Sequence, residues 1–263
     1  MIMLKAVLFD LDQTLMDWSG RTEDWQDHQR QHIGYLYEYV NEHVFPLAMN
    51  IDELYDIMVA NVVAAWTDAK ITLIAPHIGE VMVKTLKACG VPPEQIKMDD
   101  CLKAYKHQLV GGVTAYSEVP DVLKTFQQHN IQMGIATNAF QPMWMRDAEL
   151  VALDLIEYFE DGLRLSAADV GHLKPHAAIF ETLLSRLEIE PSEAVFVGDN
   201  LHADIGGAQA VGMRAVWREH DAPLAYEQAS DATIRDIQPD ATIHSLTELL
   251  PILDQWFPEW RRN

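Results

Sequence analysis

Cysteine is nearly absent: the sequence holds two, Cys89 and Cys101. No CxxC pair exists, which excludes a zinc ribbon and a thioredoxin-like redox motif. A Cys89–Cys101 disulfide is one reading, but two reduced thiols in a cytoplasmic chain is the better one. There is no run of eighteen apolar residues, so no membrane-spanning helix is expected. The apolar stretch between Lys5 and Asp10 is too short for a secretory signal. Basic residues are scarce as well: 19 Lys and Arg stand against 40 Asp and Glu, a net charge of −21. That deficit argues against a nucleic-acid polymer or an anionic membrane as partner. It leaves room for a small anionic substrate, because a local pocket or a divalent cation reverses the sign where it matters. Gly (13) and Pro (12) are too few for collagen-like or disordered classes.

What is there suits a globular chain of one or two domains. The length is 263 residues and 49% are hydrophobic, enough for a sizeable core. Ala6-Val7-Leu8-Phe9 is a fully apolar run that ends at Asp10-Leu11-Asp12. It reads as a buried strand with acids at its C-terminal end. Similar runs follow at Met133–Ala136, ending at Thr137-Asn138, and at Ala194–Val197, ending at Gly198-Asp199. Ala215–Trp217 and the weaker Ala241–Ile243 complete the set. Helical stripes separate them: Val122, Leu123 and Phe126; Phe180, Leu183, Leu184 and Leu187; a further helix over Ile205 to Val211; and Leu246, Leu249, Leu250 and Leu253. Ser245 and Glu248 form a capping box for the last. This alternation predicts an α/β fold, a three-layer, doubly wound parallel sheet. Its ligand site should lie beyond the carboxyl ends of the strands.

Residues 17–112 break the alternation. Helices are predicted around Trp25–Val44, around Leu54–Val62, around Ile78–Leu86, and through Leu102, Tyr105 and Leu109. The expected organisation is therefore a core of residues 1–16 and 113–263 with a helical insert over 17–112. Gly111-Gly112 is expected to act as a flexible return linker and hinge.

Four pieces carry chemistry. Asp10 and Asp12 sit two apart at a strand end. One carboxylate there can attack phosphorus, and a second can protonate the leaving oxygen and then activate water. Thr137-Asn138 offers a hydroxyl and a backbone N–H to a phosphate oxygen. Lys174, followed by Pro175, can neutralise charge on the nucleophile and the transferring group. Asp199 and Asp204 add two acids, a donor set that suits Mg²⁺. Any one aspartate reads equally well as a turn cap. Four such pieces in order do not.

In these motifs the chain resembles a haloacid dehalogenase superfamily hydrolase with a helical cap of the first type. DxDx(T/V) is matched by Asp10, Asp12 and Thr14, the second motif by Thr137, the Lys-Pro by Lys174-Pro175, and GDxxxxD by Gly198-Asp199 through Asp204. The resemblance implies that Asp10 is the nucleophile and Asp12 the general acid and base, with its backbone carbonyl on the metal. It implies that Thr137, Asn138 and Lys174 hold phosphate. Asp10, Asp12, Asp199 and Asp204 would form the Mg²⁺ centre, Asp199 as a direct ligand and Asp204 as a support for metal-bound water or Lys174. Gln13 departs from the family, which most often has Gly there; its side chain is expected to crowd the phosphate or add a hydrogen bond.

Other residues receive plainer readings. His28 and His32, four apart with Asp24 a turn earlier, are expected on a solvated helix face rather than at a metal. His172, His176 and His202 are expected on the rim, and the segment Glu219–Asp236 as a surface excursion. Trp18 is the aromatic best placed to touch substrate; helical spacing makes most other insert aromatics packing residues. The expected function is Mg²⁺-dependent hydrolysis of a small phosphorylated metabolite through an aspartyl-phosphate. Four rivals share the fold, and three of them are a phosphomutase with the same motifs, a 2-haloacid dehalogenase, against which Asp12 argues, and a non-catalytic phosphate-binding regulator, expected to have lost these acids. A phosphonate-cleaving relative would need a cap lysine, and neither Lys70 nor Lys84 sits in a matching motif.

Overall fold

The structure, a computed structural model, describes residues 2–220 and 237–262. Of the expected surface excursion only Glu219 and His220 fall among them. Along the chain come β1 (Ala6–Phe9), β2 (Met16–Asp17), α1 (Trp25–His43), α2 (Ile51–Thr72), α3 (Ile78–Ala88) and α4 (Met98–Ala104). Then follow β3 (Thr114–Ala115), α5 (Val119–Gln128), β4 (Gln132–Thr137), α6 (Met143–Ala152), β5 (Arg164–Ser166), α7 (Ala167–Val170) and α8 (Ala177–Leu187). β6 (Ala194–Gly198), α9 (Gly207–Ala210), β7 (Arg214–Arg218), β8 (Ala241–Ile243) and α10 (Leu249–Trp256) complete the order.

Six strands form one sheet in the order β5-β4-β1-β6-β7-β8, every neighbouring pair parallel. Alternation of side chains explains the layers. In β1, Val7 and Phe9 join a core with Val122, Leu123 and Phe126 of α5, Leu150 of α6 and Leu249 and Leu253 of α10. Ala6 and Leu8 face the opposite side, against Ile179, Phe180 and Leu183 of α8 and Ala208 of α9. Both faces are covered, which is why these strands read as unbroken apolar runs. The α/β, three-layer reading of the sequence is the architecture observed.

The segment between β2 and β3 is helical as expected. Ile33, Leu36, Val40, Leu54, Met58, Val81, Met82, Leu86 and Leu102 form a core of their own, joined by Met145 of α6. Asp24 caps α1, and Asn50 with Glu53 makes a capping box on α2. The fourth helix stops at Ala104 rather than reaching Leu109, because Lys106 takes a φ of 50° and turns the chain out of the helix. β2 and β3 pair antiparallel, so both strands of the connection run side by side. The insert touches the core at a second place. The Ala75 N–H donates to Gly171 O (3.0 Å), Leu173 N–H to Leu73 O (2.9 Å) and Ile78 N–H to Phe140 O (2.8 Å). The insert thus lies against the loops that follow β4 and precede Lys174.

Gly111-Gly112 is fastened rather than free. Gly111 N–H donates to Glu23 Oε2 (3.0 Å), and Gly111 O accepts from Thr22 N–H (3.0 Å). Gly112 has φ +87°, and a Cβ there would sit 2.2 Å from Gly20 O. The glycine is required by close backbone approach. Both cysteines are free thiols, Cys101 buried and Cys89 partly so.

Candidate active site

β1 lies between β4 and β6, so the C-terminal ends of three central strands meet at one point. Asp10 follows β1, Thr137 ends β4, and Asp199 follows β6. Asp10 is tied in place by its N–H to Val197 O (2.9 Å). The chain then turns sharply: Leu15 and Met16 both donate to Leu11 O, and Gln13 takes φ 60°.

Lys174 Nζ stands 2.6 Å from Asp10 Oδ1 and 2.7 Å from Asp204 Oδ1, and it also donates to Ala136 O (2.7 Å). All three side chains are buried. Burial, the largest influence, pushes Asp10 up to about 7; Lys174 pulls it back, while Asp204 and Asp12 push it further up. Burial disfavours the Lys174 ammonium too, but Asp10 and Asp204 overrule it and hold the amine above its ordinary value. One ammonium among the carboxylates leaves a surplus of negative charge. The oxygens of Asp10, Asp199 and Asp204 can all lie within 4.8 Å of one another. An all-oxygen donor set carrying surplus negative charge fits a hard divalent cation.

The loop after β6 is built to present these acids. Asn200 Oδ1 accepts from the N–H groups of His202 and Ala203, starting a π-helical turn over Leu201–Gly206. Asp204 Oδ2 accepts from Asn200 N–H (3.0 Å), and Asp199 O accepts from Trp217 Nε1 (2.7 Å). A Cβ on Gly198 would lie 2.3 Å from Asp204 Oδ2, so the glycine makes room for that carboxylate. Asn138 Nδ2 donates to Lys174 O (3.1 Å), and Lys174 N–H donates to Asn138 Oδ1 (2.7 Å). Its amide, expected on phosphate, is spent on the backbone of Lys174. Thr137 is buried at the strand end. Gln13 Oε1 accepts from Tyr116 OH (3.0 Å), which supplies the added hydrogen bond but gives it to the protein. His172 and His176 stack on each other, and His202 is exposed.

Asp12 is held by residues the sequence reading did not assign to this acid. Oδ1 accepts from Trp18 Nε1 (3.1 Å) and Arg146 Nη2 (3.0 Å), and Oδ2 from Arg146 Nη1 (3.1 Å). Arg146 Nε donates to Glu149 Oε2, and Glu149 Oε1 meets His107 Nε2 at 2.9 Å. Burial weakens the charge on Arg146, but Asp12 and Glu149 more than restore it, so its affinity for the proton is raised. One signal was legible. Met143, Arg146 and Leu150 share one helical stripe in α6, so an arginine occupies a core position.

His28 and His32 do not lie on a solvated face: both are buried. His32 Nδ1 donates to Tyr105 O (2.9 Å), His28 and His32 meet through Nε2 at 3.1 Å, and His28 Nδ1 meets Glu23 Oε2 at 3.0 Å. The apolar neighbours of α1 bring Tyr105 over that face, which side-chain periodicity alone did not show.

A family model described as haloacid dehalogenase-like hydrolase matches residues 7–218. Pyrophosphatase PpaX of Bacillus pumilus is 26% identical over 252 residues, 95% of this chain and 96% of that one. Ribulose-1,5-bisphosphate 5-phosphatase of Halopiger xanaduensis is 34% identical over 140 residues, 52% of this chain and 57% of that one. The crystal structure of 2-haloacid dehalogenase from Pseudomonas syringae pv. Tomato DC3000 superposes with a TM-score of 0.61 at 27% identity, covering 97% of this chain and 100% of that one. No helix among the described residues is long and apolar enough to cross a membrane.

Proposed function

The chain belongs to the haloacid dehalogenase-like hydrolase family, and on that footing we propose that it is a Mg²⁺-dependent phosphatase of a small phosphorylated metabolite. Residues 17–112 act as the cap over a core of residues 1–16 and 113–263. The observation that carries this reading is the buried set of Asp10, Lys174 and Asp204 with Asp199 beside it, joined by a second strand-end acid, Asp12. A nucleophile alone serves a dehalogenase; a nucleophile with a partner acid serves an ester whose leaving oxygen needs a proton. The names of the phosphatase relatives support the same choice.

Asp10 attacks phosphorus and the ester P–O bond breaks. The leaving oxygen takes a proton from Asp12, and an aspartyl-phosphate remains. Water then attacks that phosphorus, its proton passes to Asp12, and Asp10 is released with inorganic phosphate. Lys174 stays charged against Asp10 throughout. Asn138 holds Lys174 by its backbone, and Thr137 presents its hydroxyl to a phosphate oxygen. Asp10, Asp199, Asp204 and the Asp12 carbonyl would hold Mg²⁺. When bound, the ion supplies positive charge that lets the acids ionise together and offsets the phosphate oxygens.

The test is phosphate release from a panel of phosphomonoesters with Mg²⁺ and then with EDTA, for the wild type and Asp10→Asn. Release that needs Mg²⁺ and vanishes in a folded Asp10→Asn supports the reading. Halide release from 2-haloacids without phosphate release replaces it by the dehalogenase one.

A further inference from the structure

The grip on Asp12 engages both of its carboxylate oxygens. Three N–H groups reach its two oxygens, two of them from the rigid fork of one guanidinium. The fork itself is held: its Nε is bound to Glu149, whose other oxygen is bound to His107. Arg146 and Glu149 are buried in the middle of an otherwise apolar stripe. Well-packed apolar residues fill such positions without the penalty of desolvating charges. The chain spends two buried charges where stability alone asks for none.

Resting on the phosphatase reading, we propose that Arg146 is a positioning residue that fixes the direction of the Asp12 carboxylate for proton transfer to the leaving oxygen. Trp18 is its second support, and Glu149–His107 anchors it. Proton transfer needs the acid within hydrogen-bond reach of one oxygen of the bound ester. A carboxylate on a short side chain at a turn swings about two bonds. A bidentate partner removes that freedom, and a point charge does not. The anchor also has a place in the chain: His107 lies in the segment returning from the insert, and Trp18 in the segment leading out to it. Both connections between insert and core therefore reach the same carboxylate, one directly and one through Glu149 and Arg146.

The experiment measures kcat/KM over a series of phosphomonoesters whose leaving groups run from nitrophenol to simple alcohols. Wild type, Arg146→Lys, Arg146→Met and Trp18→Phe are compared. Nitrophenolate departs without a proton, whereas an alcohol needs one. Arg146→Met is expected to lose about 10²-fold on alcohol esters and little on the nitrophenyl ester. Arg146→Lys should not rescue it. Trp18→Phe, a partly exposed position, should keep its fold and show a dependence of the same sign but shallower, with a loss of about tenfold on alcohols. Equal losses for every leaving group make Arg146 a substrate-binding or merely structural residue and overturn the proposal. So does an unchanged slope in all three variants of an active enzyme. A wild type inert toward the entire series overturns the phosphatase reading itself, and the positioning role with it.

Discussion

Asp199 and Asp204 carry the same side chain but sit in different surroundings. Asp204 is buried against Lys174 and fills the space that Gly198 leaves open. Asp199 is only partly buried. Removing Asp204 leaves Lys174 its pair with Asp10 but takes the acceptor from Asn200 N–H and opens a hole beside Gly198, and a polar group left unmatched in the interior costs about 1–3 kcal/mol. Asp204→Ala should therefore lose both thermal stability and activity. Asp199→Ala should keep the melting temperature of the metal-free protein while raising the Mg²⁺ concentration needed for half-maximal phosphate release at least tenfold. Melting curves in EDTA, paired with Mg²⁺ titrations of activity, separate the two. Asp199 was readable in the sequence because it stands where the β6 apolar run stops, and Asp204 because it closes the GDxxxxD pattern that begins there. Arg146, Glu149 and His107 were not. Arg146 showed only as a charge on the apolar stripe of α6, and the contacts that give the pair its purpose, Arg146 to Asp12 and Glu149 to His107, span 134 and 42 residues, a distance over which no spacing rule works.

At the scale of elements, legibility followed apolar composition rather than burial. β1 and β6, wholly buried, matched their apolar runs, and the capping box at Ser245 and Glu248 formed as expected. β5 was missed because Arg164 opens it. That arginine is buried by pairing with Asp147 and Asp161 and donating to Phe159 O, partners invisible in a three-residue window. The helix expected over Ile205–Val211 is a π-helical turn followed by one short turn of α9. In α1 the buried histidines make a testable difference. Burial first, and the neighbouring His28 next, bring His32 down to about 4, with His107 adding to the fall and Tyr105 O and Glu23 opposing it. An unfolded histidine titrates near 6.5. Between those values the unfolded chain binds a proton that the folded chain refuses, so stability falls as pH drops from about 6.5 to about 4. The loss is about 3 kcal/mol at most. His32→Gln should have a flatter dependence of melting temperature on pH across that window, measured by circular dichroism. An identical dependence in both proteins places the acid sensitivity elsewhere.

For the molecule as a unit, the net charge of −21 is spread widely, but the site concentrates it where three acids meet one lysine. A cation that binds there and not to the unfolded chain must stabilise the fold. At a hundred times its dissociation constant the gain is about 2.7 kcal/mol. For a chain somewhat above 150–250 residues, each kcal/mol moves the midpoint by roughly 2–4 °C. Calorimetry should show Mg²⁺ raising the melting temperature by several degrees, with EDTA reversing it and Asp199→Ala blunting it. An equal rise with a monovalent salt of matched ionic strength would instead report screening of the surface charge. The fold that assembles this site follows from the parallel sheet, whose central strands all end at one edge.

The bond from the Trp217 indole to Asp199 O gives that edge a reporter of its own. An indole emits at a wavelength set by the field along its ring, and this ring is tethered to a residue of the charged cluster. Filling the cluster with a divalent ion offsets its surplus negative charge and so changes the local field. The emission of the wild type should shift during a Mg²⁺ titration, and Trp217→Phe should reduce that shift to what Trp18 contributes through its bond to Asp12, while the six other tryptophans keep shining. Occupancy would then be visible in a cuvette without substrate or turnover.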